Sequence, residues 1–194
     1  MLVRLRLFAL LGAFVLSSAG CGLQGSGIPD DEVRIVPRFD RIVVTGVTAD
    51  ALDVDVRVAP VWLSNGRIVV SGDHNLLHAV DTDVVAGTLY VDVYQWLWPT
   101  RPLRIGITTP SLAAVEVYGN APLRVAGLEE PSFLLHIEGS GFAELQGVTS
   151  DLTVDVYGAA HVDALALHAY NAEVTLVGSA TADVCVTGVA NLCV

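Results

Sequence analysis

Two rows of polar residues recur at a fixed interval and carry most of the groups able to do chemistry. Glu116, His136, Asp155 and Thr175 form one row; Arg124, Glu144, Asp163 and Asp183 form the other. Carboxylates and an imidazole held side by side offer oxygen ligands to a cation or hydrogen-bond partners to a polar sugar. The plainer reading is a solvated face, with cross-strand pairs worth a few tenths of a kcal/mol each. Exposed ion pairs contribute little to stability, so the plainer reading is favoured. Asp163 beside Asp183 is repulsive unless solvent or a cation screens the pair.

Other candidates are weaker. His74 and His78 stand four apart, but zinc pairs at that spacing belong on a helix with a glutamate between them. Asn75, Leu76 and Leu77 intervene here, and no third ligand is at hand. No metal or cofactor is expected. Gly139-Ser140-Gly141 lacks the frame and strand-to-helix context of a nucleophile elbow. Turn geometry accounts for its glycines, and a serine hydrolase is rejected. Tyr94-Gln95-Trp96-Leu97-Trp98-Pro99 breaks the surrounding pattern and holds two of the three tryptophans. Trp96 and Trp98 either stack on sugars or dock a partner, or they seal one side of the core. Together with Glu116, His136 and Asp155 they make up the candidate binding surface.

The elements that must position these residues follow from the repeat itself. Glycines at 119, 139, 158 and 178 each close a strand-like segment. Two residues before them stand Val117, Ile137, Val156 and Leu176, and four before them Val115, Leu135, Val154 and Val174. After each glycine the apolar positions are Leu123, Ala143, Val162 and Ala182, then Val125, Leu145, Ala164 and Val184. The polar rows lie between these apolar ones. Alternation with period two, repeated in register, describes strands with one buried face. A single unit cannot bury that face, whereas stacked copies can. Val54, Val56 and Val58 alternate with Asp53, Asp55 and Arg57, and Arg67–Val70 and Thr88–Val93 add further strands. After the first twenty residues no helical window of three turns is found. The pattern predicts an all-β solenoid with coils of about 20 residues.

The chain has 194 residues, of which 53% are hydrophobic and 16% charged. That composition excludes a disordered chain. Its 10 basic residues are all arginines against 21 acids, for a net charge of −11. A phosphate backbone would be repelled, so no nucleic-acid partner is expected.

The N-terminus reads as an address. Arg4 and Arg6 precede an apolar run from Leu7 to Leu16 that is too short to span a bilayer. Ser17-Ser18-Ala19-Gly20-Cys21 resembles a bacterial lipobox, which implies a signal peptide over 1–20 and acylation of Cys21; an ordinary cut after Ala19 is the alternative. The mature chain would be two charges more negative and held to the membrane by its lipid. Residues 21–38 then read as the lipidated N-terminus and a flexible tether, and 39–194 as the folded domain. With Cys21 acylated, Cys185 and Cys193 remain as a pair. An oxidising compartment favours a disulfide between them over two reduced thiols.

Three stretches carry a family resemblance: Phe39-Asp40-Arg41-Ile42 through Gly46; Val70 to Leu77 with Gly87-Thr88-Leu89; and Pro110-Ser111-Leu112 with Val115–Gly119 and Glu138–Gly141. They are similar to the bacterial "putative auto-transporter adhesin head GIN" domain family over roughly 39–194. The turns Gly119-Asn120-Ala121 and Gly158-Ala159-Ala160 depart from its Gly-Ser-Gly pattern but keep small residues. The resemblance implies a right-handed β-helix exported by bacteria, often as a lipoprotein, and carries over no catalytic residue. The expectation is a non-enzymatic envelope lipoprotein that binds a glycan or an envelope protein. Gly22 after the cysteine directs it to the outer membrane under the familiar sorting rule. The alternatives are a periplasmic scaffold or sensing partner of a membrane protein, and a carbohydrate-active β-helix enzyme.

Overall fold

The computed structural model describes residues 22–46, 52–59 and 65–193. Fifteen strands carry the described chain: β1 Leu23–Gln24, β2 Pro29–Val36, β3 Arg41–Gly46, β4 Leu52–Val58, β5 Gly66–Asp73, β6 Val80–Val85, β7 Thr88–Val93, β8 Leu97–Trp98, β9 Leu103–Thr109, β10 Ala114–Tyr118, β11 Leu123–Gly139, β12 Phe142–Gly158, β13 His161–Gly178, β14 Thr181–Val186 and β15 Ala190–Cys193. Among described residues one 3-10 helix, His74–Ala79, interrupts them, and it buries Leu76, Leu77 and Ala79 against the core.

The alternation read from the sequence places the core. Val115, Val117, Leu135, Ile137, Val154 and Val156 are buried, as are Leu123, Val125, Ala143, Leu145, Val162 and Ala164. Parallel pairing sets them in columns. Ala114 lies beside Leu134, Leu123 beside Ala143, Phe142 beside His161, and His161 beside Thr181. Over 114–193 the chain advances by close to 20 residues per layer, as the glycine spacing predicts. The glycine column has a steric reason. Gly139, Gly158 and Gly178 have φ of +150°, +135° and +108°, and each lies against the carbonyl oxygen of the glycine one layer before. A side chain there meets both a disfavoured backbone region and a neighbouring backbone.

The first part of the chain departs from the solenoid expected over 39–194. β3 lies between β7 and β10, and β4 between β9 and β11, all in parallel. The layer 41–58 is thus inserted between 88–109 and 114–126, out of sequence order. β5, β2 and β6 then pair antiparallel, with β9, β5 and β7 respectively. The reason is edge cover. Ile42 and Val44 of β3, and Val54 and Val56 of β4, need apolar neighbours on both sides, and only distant segments supply them. One face runs β2-β5-β9-β4 into the first halves of β11 and β12; the other runs β6-β7-β3-β10 into their second halves. β11, β12 and β13 belong to both faces, so the sheet closes into a nearly complete barrel-like layer around one core.

Within the stretch read as a tether over 21–38, Leu23–Gln24 forms β1 and Pro29–Val36 forms β2. β1 pairs in parallel with β8, and β2 lies along β5. Leu23 and Gly25 donate N–H bonds to the carbonyls of Trp96 and Trp98 at 2.8 and 2.9 Å. The Asn75 amide bridges Ser26 N and Gln24 O, while Gly27 N donates to Asp73. Glycines alone suggest flexibility, but here the N–H groups of Gly25 and Gly27 both find fixed partners.

Candidate functional site

The first polar row assembles in the predicted register: Glu116 beside His136, His136 beside Asp155, Asp155 beside Thr175. All four are half-buried. Glu116 bonds Arg41 at 3.0 Å and accepts the Tyr118 hydroxyl at 3.0 Å. That bond, with burial and the charges of Glu116 and Glu138, holds the Tyr118 hydroxyl above the usual tyrosine value. His136 lies between the rings of Tyr118 and Tyr157, with centroids at 5.7 and 5.5 Å, and Glu138 Oε1 stands 3.3 Å from its Nε2. Tyr118 and Tyr157 were not singled out from sequence, because they sit two positions along from the row and touch His136 only on the diagonal.

The second row also assembles in register. Arg124 contacts Asp53 at 3.0 Å, Asp55 at 3.7 Å and Glu144 at 3.6 Å. Asp163 accepts the N–H of Leu165, and Asp183 stands 3.9 Å from His161. The two aspartates are neighbours in the ladder but turn to separate partners.

Beside Arg124 lies an open groove of about 500 Å³ lined by Asp55, Arg57, Arg67, Thr108, Arg124 and Glu144, among others. Its two carboxylates both face Arg124. Arg57, Arg67 and Thr108 were missed from sequence, because only out-of-order pairing of β4, β9 and β5 brings them together.

Trp96 and Trp98 are exposed at 58% and 59%, with Tyr94 more so, while Leu97 between them is buried. The tryptophans therefore do not seal the core; Leu97 does. The Trp98 indole lies against the Gly22 backbone, which brings the aromatic cluster next to the start of the described chain. Cys21, the expected lipidation site, lies outside the described residues. His74 bonds Asp30 at 2.7 Å, and among the described residues no three His, Cys, Asp or Glu side chains gather as a metal site.

The disulfide expected between Cys185 and Cys193 is not formed in this structure. Cys185 and Cys193 are both free thiols. Cys185 sits beside His168, its Sγ 3.5 Å from Nδ1, whereas Cys193 pairs beside Thr175 in a different part of the ladder. The tail therefore continues the stack instead of folding back over it, and Val189 and Leu192 stay exposed.

Among the described residues, stacked parallel strands with a filled core and polar rows outside define an all-β module that presents polar surfaces. The chain belongs to the family described as "putative auto-transporter adhesin, head GIN domain", which matches residues 49–192. Two solved structures share the fold. A putative adhesin from Bacteroides fragilis is 13% identical, with a TM-score of 0.64 over 88% of this chain and all of that one. Another, from Parabacteroides merdae, is 15% identical, with a TM-score of 0.54 over 88% of this chain and 96% of that one. No curated protein sequence matches the chain. Among the described residues no helix is long and apolar enough to cross a membrane.

Proposed function

We propose that the chain is a non-enzymatic, adhesin-like binding module of the bacterial envelope, anchored in the outer membrane by acylation of Cys21. The observation that carries this reading is how the outward side chains are engaged. The groups best suited to chemistry are engaged by neighbouring side chains: Glu116 by Arg41 and Tyr118, His136 by Tyr118, Tyr157 and Glu138, and Glu144 by Arg124. A carbohydrate-active enzyme on such a fold calls for three or more carboxylates in one groove, and the groove beside Arg124 has Asp55 and Glu144. The family description supports the adhesin-like reading. Parallel crossovers are right-handed in nearly all proteins, which supports a right-handed, β-helical coil over 114–193.

Strand β1 gives the anchor a specific consequence. Gly22 is held against Trp98, so acylation of Cys21 would place Tyr94, Trp96 and Trp98 at the bilayer surface, where such side chains partition well. Protease treatment of intact cells, comparing wild type with Cys21→Ala, tests the reading. Wild-type protein shaved from whole cells and Cys21→Ala released from the membrane are the expected results. Protection until the outer membrane is breached replaces adhesion with a periplasmic scaffold or sensor. Membrane retention of Cys21→Ala overturns the lipoprotein assignment.

A further inference from the structure

Arg57 and Arg67 stand on either side of Thr108. Thr108 is the register partner of Arg57 across β4–β9 and of Arg67 across β9–β5. Two strand spacings of about 4.8 Å therefore separate the arginine backbones. Both side chains are exposed on the outer face. Neither guanidinium has a hydrogen bond or ion pair among the described residues. That is unexpected in a chain with 21 acids and 10 arginines. Arg34, Arg41, Arg101, Arg104 and Arg124 each reach a carboxylate.

The surroundings leave room for a ligand. Gly106 precedes Thr108 in the same outward row, between Asp55 and Val69. A Cβ at Gly106 would meet only Val69, at 3.9 Å or more, so packing does not require glycine there. Its missing side chain keeps the groove floor low. Arg57, Arg67 and Arg124 against Asp55 and Glu144 give the lining one net positive charge, in a chain of −11.

We propose that this groove binds the carboxylate of an acidic saccharide between Arg57 and Arg67. A guanidinium fork matches a carboxylate with two parallel hydrogen bonds. The Thr108 hydroxyl and the Gln146 amide offer hydrogen-bond partners to sugar hydroxyls. The groove is open and its lining mixes Val69 and Ala126 with three arginines and two carboxylates, so it does not provide the apolar enclosure that a lipid or a hydrophobic peptide side chain needs. The site deepens the binding-module reading by naming a ligand chemistry, and rests on it. Protease shaving reads location and the titration below reads affinity, so the two fail separately.

The test is calorimetric titration of the purified full chain with tri-galacturonate, the neutral galactose trimer and inorganic phosphate, at low and at high salt. Binding of tri-galacturonate is expected, weakened by salt and weakened about tenfold or more by Arg57→Gln with Arg67→Gln. Arg41→Gln, on the other face, should leave it unchanged. Both groove substitutions are at exposed positions, and circular dichroism checks that the fold survives. Equal binding of the neutral trimer, phosphate binding as tight as the saccharide, an unaffected double variant, or no binding of tri-galacturonate each overturns the proposal.

Discussion

Thr100 donates twice to Asp73, from its backbone N–H to Oδ2 and from its hydroxyl to Oδ1, both at 2.7 Å. Asp73 is fully buried and also accepts from Gly27 N, with Arg101 at 3.9 Å. The Thr100 hydroxyl, opposed by burial and aided by the two backbone donors and the Arg101 charge, holds its carboxyl below the ordinary value of 3.8. The folded state therefore binds this proton less readily than the unfolded one. The resulting stability is fully present above pH 3.8 and is lost as pH falls through the lower, folded value. Hydrogen exchange at residues 22–28 should rise as pH falls below 3.8, after correction for the intrinsic rate. Asp73→Asn should show faster exchange there already at neutral pH. Unchanged protection in the variant would remove the clamp from the account.

Gly158→Ala should destabilise the stack by about 1–3 kcal/mol, since it places a Cβ at positive φ and against the Gly139 carbonyl. At about 2–4 °C per kcal/mol for a chain of this size, a thermal melt resolves the loss. An unchanged melting temperature would show that the glycine column is not sterically enforced.

Inward and outward positions on one strand should behave oppositely. Leu135 is fully buried, so Leu135→Ala should cost about 2–5 kcal/mol. Asp155, on the outward row, makes no side-chain hydrogen bond or ion pair among the described residues; Asp155→Ala should change stability by no more than about 0.5 kcal/mol. Urea denaturation of both variants checks the contrast, and similar losses would contradict the assigned faces.

Both C-terminal thiols should alkylate without prior reduction, and dithiothreitol should leave the melting temperature unchanged. Cys193 is exposed and Cys185 half-buried beside His168, so Cys193 should react first. Mass spectrometry of timed iodoacetamide labelling distinguishes this from a bridge, which would block both sites.

Much of the ladder was legible in the chain itself. The facing of Val115, Leu135 and Val154 inward, and of Glu116, His136 and Asp155 outward, follows from alternation within each segment. Their side-by-side placement follows from the glycine interval. These are local properties: period two fixes the face, and a residue forced to positive φ fixes where each layer turns. Tertiary structure alone decided the order of the layers. Ile42 and Val54 could be covered by any apolar strand, and nothing in residues 41–58 names β7, β9, β10 and β11 as the neighbours that do so. The Arg57–Thr108–Arg67 arrangement and the Asp73 clamp on residues 22–28 depend on that long-range choice, and the mismatched positions of Cys185 and Cys193 depend on how the last layer closes. Pairing between distant strands is settled by which edges remain open once the core has formed, and a linear pattern does not record that.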